Sequence, residues 1–139
     1  MTVFDTDVLT EILRGTPEIV ERAMLIPPED QGVPVVAVEE ILRGRLNAIR
    51  QAEAGRLRIT MARAYDLLRE SPSDFRRLLI LPCTDRSELL FREWREHGIR
   101  IATHDLRIAA LCMDHGAKLV SRNRRDFDRV PRLTVEYWS

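Results

Sequence analysis

"TVFDTDVL", residues 2–9, sets two aspartates in an otherwise apolar run. Thr2, Val3 and Phe4 read as a short buried strand. Val8, Leu9, Ile12 and Leu13 then recur at helical spacing, with Gly15 as the stop. Asp5 therefore stands where a strand hands over to a helix. A carboxylate at that junction can cap the helix, as can one at Asp7, or it can present its charge beyond the carboxyl end of the strand. What the rest of the chain brings to the same edge decides between these roles.

Outward from that junction the chain alternates. "TPEIVERAM" (16–24) restarts a helix with Thr16 as N-cap and Pro17 at its first position. "GVPVVAV" (32–38) predicts a buried strand, and "EEILRGRLNAIRQAEAG" (39–55) a helix with Leu42, Leu46 and Ile49 on one face. "RITMARAYDLLRESPSDF" (58–75) predicts a helix broken near Pro72, followed by an extended "RRLLILPCT" (76–84). "DRSELLFREWREHG" (85–98) is a helix with Asp85 and Glu88 spaced as a capping box. In the last third, "IRIATH" (99–104) is extended, "DLRIAALCMDHG" (105–116) a helix and "AKLVS" (117–121) a strand. "RNRRDFDRV" (122–130) makes a loop or short turn, and "LTVEYW" (133–138) a terminal strand.

Strands separated by helices call for an α/β fold, with a mostly parallel central sheet flanked by helices on both faces. The 139 residues fit one domain spanning 1–139. In such a sheet Asp5, the pair Glu39 and Glu40, Asp105, and Asn123 with Asp126 all follow predicted strands. They would emerge together at one edge.

Composition narrows the partners. The formal net charge is zero and the pI about 6.8, which excludes a global basic field, so any nucleic-acid binding must be local. Lys118 is the one lysine among 22 basic residues, an arginine skew suited to phosphate contact that a GC-rich coding bias also produces. Cys83 and Cys112 sit in apolar runs without C-x-x-C spacing and read as reduced core thiols. No apolar stretch approaches the roughly 20 residues of a membrane span, and no charged leader with an apolar segment opens the chain. A soluble, cytoplasmic protein is the expectation.

Several carboxylates on one sheet edge repel each other unless a cation joins them. Oxygen ligands without a histidine or cysteine cluster suit Mg²⁺ or Mn²⁺ and not zinc.

Four stretches carry a resemblance: "FDTDVL" (4–9), "VAVEEILRG" (36–44), "HDLRIAA" (104–110) and "LVSRNRRDF" (119–127). In this order the chain resembles the PIN-domain ribonucleases, and among them the VapC-type toxins of toxin–antitoxin pairs. The resemblance implies a PIN-like fold and metal-dependent hydrolysis of RNA by an endoribonuclease. It makes Asp5 the first metal-binding aspartate with Thr6 as its hydroxyl neighbour, and Glu40, through the E-x-x-x-G spacing to Gly44, the second acid. Asp105 matches the third motif, while Asn123 and Asp126 match the fourth and would orient water or a second ion. The metal ligands it implies are Asp5, Glu40 and Asp105. It further implies an RNA substrate, a VapB-type antitoxin and a homodimer.

Departures from the pattern are specific. Asp7 stands where the family often has Asn, and Ala37 where a Ser or Thr usually starts the second motif's helix. Glu39 lies at the edge of the apolar stripe and Glu40 well off it, so spacing to Gly44 is what selects Glu40. Arg43 and Arg45, Arg107, and Arg122, Arg124 and Arg125 flank the acids and are RNA-contact candidates, as is Thr6; a solvated face is the plainer reading for each arginine. Trp94 reads as core or dimer surface. Tyr65, Leu67 and Leu68 read as core before partner groove, and His104 as a cap or surface residue.

Two other readings compete. A haloacid-dehalogenase-like phosphatase would use Asp5 as nucleophile and Asp7 as acid/base, with Lys118 and the "DFD" at 126–128 downstream. It leaves "DLRIAA" unexplained. A catalytically silent PIN-like binding module is allowed by the neutral Asn123.

Overall fold

Alternation along β1 (Thr2–Phe4) sends Val3 to one face of the sheet and Phe4 to the other, both buried. The computed structural model describes residues 1–56 and 58–138. Leu57 and Ser139, the expected end of the domain, lie outside them. β1 pairs in parallel with β2 (Gln31–Pro34) on one side and with β4 (Lys118–Ser121) on the other. β3 (Leu79–Leu81) and β5 (Val135–Tyr137) complete a five-stranded parallel sheet of order β3-β2-β1-β4-β5.

The connections are α1 (Thr6–Arg14), α2 (Pro17–Met24), α3 (Val35–Glu53), α4 (Met61–Phe75), α5 (Asp85–Glu96), α6 (Thr103–Asp114) and the one-turn α7 (Arg124–Phe127). A 3₁₀ turn, Pro28–Asp30, leads into β2. Two apolar cores result, one on each face. Val3 and Leu119 pack with Trp94, Leu106, Ile108 and Phe127. Phe4, Val33 and Val120 pack with Leu9, Ile19, Ala37 and Trp138. Trp94 is thus a core residue. Both faces of a central strand must be apolar for this arrangement, which is why each of β1 and β4 carries two consecutive buried apolar residues, Val3–Phe4 and Leu119–Val120.

Where the structure departs from the sequence reading, a local reason is visible. The strand expected over 32–38 ends at Pro34, and Val35 already opens α3. Burial of Val36 and Ala37 against the sheet overrides the β preference of a valine run. Ala37 is consequently the third residue of α3 and fully buried, not an N-cap position. "IRIATH" forms no strand. The Arg95 guanidinium donates to the carbonyls of Ile99 (2.9 Å) and Ile101 (2.8 Å), supplying side-chain partners in place of a ladder. α4 runs through Pro72 to Phe75, with the exposed Pro72 depriving the Leu68 carbonyl of its helical donor only one turn before the helix ends. The box capping α5 is Thr84 with Ser87, not Asp85 with Glu88, each hydroxyl accepting the other residue's N–H at 3.0 and 2.9 Å. Cys112 is buried, but Cys83, just past edge strand β3, is exposed. Among the described residues no helix is long and apolar enough to cross a membrane.

Candidate active site

The order of the strands puts the site at the carboxyl ends of β1 and β4, where the chain's progression across the sheet reverses. Asp5 follows β1 directly, its N–H still bonded to the Val120 carbonyl at 2.9 Å. Its side chain caps α1: Oδ1 accepts the Thr6 N–H at 2.8 Å, and Oδ2 accepts from Ser121 Oγ at 2.6 Å. Capping and site geometry are one arrangement, not alternatives. Ser121, fully buried at the end of β4, also accepts the Asn123 N–H at 3.0 Å and so ties the two strand ends together. The sequence reading missed Ser121; its signal was a lone hydroxyl ending an apolar strand.

Asp7 holds the neighbouring loop. Its Oδ1 accepts the Val8 N–H at 2.7 Å and its Oδ2 the Arg122 N–H at 3.2 Å. Thr6 Oγ1 donates to Glu40 Oε1 at 2.7 Å, which brings Glu40, in the second turn of α3, toward the β1 end. Asp105, in the first turn of α6, accepts from Asn123 Nδ2 at 3.2 Å. The same amide donates to Asp126 Oδ2 at 3.1 Å, while Asn123 Oδ1 caps α7 through the Asp126 N–H. Asn123 is therefore a neutral bridge between two acids.

The charges are crowded. Burial, reinforced by Asp7 and Asp105 and opposed by the Ser121 and Thr6 hydrogen bonds, pushes the Asp5 carboxyl up to about 7. Burial, with repulsion from Glu40, Asp126 and Asp7, pushes Asp105 up to about 6. Burial also raises Asp7. The donor set is oxygen throughout, the chemistry of Mg²⁺ or Mn²⁺. The side chains stay apart, and among the described residues no group of three or more His, Cys, Asp or Glu is arranged to hold an ion.

The flanking residues sort by partner. Arg45 is mostly buried and is bonded to Asp74 at 2.7 Å and to Ser71 and the Leu67 carbonyl, so it braces α3 on α4 instead of facing a substrate. Arg107 forks onto Glu88 at 2.7 and 3.3 Å and lies over the Phe91 ring. Arg124 stacks on Tyr137 at 4.2 Å. Arg43 binds Glu39 at 2.6 Å. Arg122 and Arg125 are exposed, Arg122 lying 3.9 Å from Glu11. His104 does not cap α6, whose N-cap is Ala102; its ring lies 3.2 Å from Glu39 and 3.9 Å from Glu40. Tyr65 is exposed, against its expected place in the core, while Leu67 and Leu68 are half-buried.

Residues 2–133 match the family model of the PIN domain. The chain belongs to the PIN domain family. Solved structures agree in fold. VapBC2 from Rickettsia felis, bound to a promoter DNA fragment, matches with a TM-score of 0.72 and 19% identity, over 99% of this chain and 98% of that one. DNA-bound VapBC from Salmonella typhimurium matches at 0.74 and 18%, covering 99% and 98%. FitAcB from Neisseria gonorrhoeae matches at 0.73 and 23%, covering 97% and 96%. At these identities the likeness is one of fold. No curated protein matches the chain. The acid cluster of this PIN domain accordingly sits at the carboxyl edge of its parallel sheet.

Proposed function

We propose that this PIN domain is a metal-dependent endoribonuclease acting as the toxin of a toxin–antitoxin pair. The observation that carries the reading is an oxygen-only set of acids held by hydrogen bonds beside the ends of β1 and β4: Asp5 and Glu40 both accept from Thr6, and Asp105 and Asp126 both accept from Asn123. Asp5, Glu40 and Asp105 would hold Mg²⁺ or Mn²⁺, which when bound polarises a phosphodiester and lowers the pKa of a bound water. The chain's own residues do the rest. Ser121 and the Thr6 N–H hold Asp5 in place, and Thr6 Oγ1 holds Glu40. The Asn123 amide holds Asp105 and Asp126 in register, leaving Asp126 to orient water. Arg122 and Arg125 supply charge for the RNA backbone.

The toxin role and a VapB-type antitoxin are supported by the fold neighbours, which include toxin–antitoxin complexes. A homodimer in the cytoplasm is part of the same reading. The phosphatase alternative loses its cation: Lys118 opens β4, at the end of the strand opposite Ser121, and is bonded to Glu136 at 2.8 Å.

The test is cleavage of a mixed cellular RNA pool by the purified, partner-free chain in Mn²⁺, Mg²⁺ or EDTA. Metal-dependent cutting is expected, and Asp5→Asn and Asp105→Asn should each abolish it with circular dichroism unchanged. Cutting retained in both variants overturns the site. A folded wild-type chain that cuts nothing with any metal overturns the enzyme in favour of the binding module.

A further inference from the structure

Gly44 is the member of the E-x-x-x-G spacing still without a role. It lies inside α3 with a helical backbone, where glycine costs stability relative to alanine. A Cβ built there meets nothing within 4 Å. Neither backbone conformation nor packing within the chain demands a glycine. Its missing side chain leaves bare helix surface between two grooves, since Gly44 and Glu40 line both. One, of about 510 Å³, is also lined by Arg43, Asn47, Arg50 and His104. The other, of about 600 Å³, lies among α1, α3 and α4 and reaches Thr6 and Thr10.

We propose that a single-stranded RNA crosses α3 over Gly44, with phosphates beyond the scissile one seated in the first groove against Arg50 and Asn47. The inference rests on the endoribonuclease reading and names the path its substrate takes. Glu40, Arg43, Asn47 and Arg50 recur at three- and four-residue steps and share a face of α3. Ten residues at about 1.5 Å rise put Arg50 about 15 Å from Glu40, beyond the reach of a single phosphate. Charge chooses between the grooves. Among the described residues Glu40 is the only acid lining the first, whose Arg43 and His104 face Glu39 at 2.6 and 3.2 Å, and Arg50 is exposed without an acidic partner. In the second, Arg45 is bonded to Asp74, Arg63 to Glu70 and Arg14 to Glu11, so no cation is uncommitted. A polyanion is drawn to the first.

The experiment separates binding from cleavage. A fluorescent single-stranded oligoribonucleotide is titrated against Asp5→Asn protein carrying Arg50→Glu, Gly44→Leu, or the control Arg77→Glu, which precedes β3 at the opposite edge of the sheet. Arg50→Glu should weaken binding tenfold or more and flatten the salt dependence, and Gly44→Leu should weaken binding while the melting temperature holds or rises; Arg77→Glu should bind normally. On the wild-type background both groove variants should raise KM more than they lower kcat. Unchanged affinity in both, from a protein that still cleaves, overturns the groove and leaves the nuclease standing. That result, with binding of an acidic protein partner lost instead, would assign the groove to the partner. A wild-type chain that neither cuts nor binds RNA sinks the nuclease reading and the path with it.

Discussion

Asp5 is pulled two ways: hydrogen bonds from Ser121 and Thr6 favour its charge, while burial and the nearby Asp7 and Asp105 oppose it, and the opposition wins. Its carboxyl lies at about 7 in the fold against an ordinary value of 3.8, and Asp105 at about 6. Between roughly pH 4 and 7 the native state thus binds more protons than the unfolded chain, so stability falls as pH rises through that window. Thermal melts of metal-free protein should show a higher melting temperature at pH 5.5 than at 7.5, and Mn²⁺ should remove most of the difference. Asp5→Asn should flatten the profile and stabilise the metal-free chain at pH 7.5 by about 1–3 kcal/mol. Asn123 makes the complementary case. An aspartate there would lose the amide donor to Asp105 and Asp126 and join Glu40, Asp126 and Asp7 as a fourth charge repelling Asp105. Asn123→Asp should therefore cost the metal-free protein about 1–2 kcal/mol while tightening Mn²⁺ binding in calorimetry.

α3 reaches the site only if its length is held, and α4 does much of the holding. Arg45 bonds Asp74 at 2.7 Å and the Leu67 carbonyl at 3.0 Å with its own side chain only 12% exposed. Arg45→Ala removes the cation paired with the partly buried Asp74, while the Leu67 carbonyl keeps the Ser71 hydroxyl at 3.2 Å, and should cost about 2–3 kcal/mol in urea unfolding, with loss of RNA cleavage only near the new midpoint. A loss of activity without loss of stability would return Arg45 to the RNA face. This arginine also shows why parts of the fold were not legible in sequence. The short stretches 2–4 and 117–121 announced β1 and β4, and Gly15 and Gly98 announced helix ends, because a strand-length apolar pair and a left-handed backbone are local. The boundary at Pro34 and the missing strand over 99–104 were settled by burial of Val36 and by the reach of Arg95 across its neighbours, neither of which a local pattern encodes. Likewise Asp5 was visible as a residue that follows a strand, but Asp105 was placed at the same edge through a strand the structure lacks and Glu40 lies inside α3. Ser121, which anchors Asp5, and the diversion of Arg45 and Arg107 into structure depend on contacts between distant segments.

For the whole molecule, a parallel sheet with β1 at its centre brings segments from residue 5 to residue 126 to one edge, and on the proposed endoribonuclease reading net charge zero leaves that edge to attract RNA unaided. On that reading the attraction comes from Arg122 and Arg125 at the rim and Arg50 farther along α3; among the described residues no acid holds them as closely as Glu39 holds Arg43 or Glu88 holds Arg107, the nearest being Glu11 at 3.9 Å from Arg122, and Arg124 is taken by the Tyr137 ring. Each phosphate neutralised on a single strand contributes about −0.7 to the slope of log affinity against log salt. Three contacts predict a slope of about −2 for the Asp5→Asn protein, measured by fluorescence anisotropy over a salt series. Arg125→Glu should make it shallower by about 0.7, and Arg124→Glu should change it less, because that guanidinium already lies on Tyr137. A slope of about −5 or steeper would require cations far from the acid cluster to join the interface, and would replace this local picture with binding spread across the helical surface.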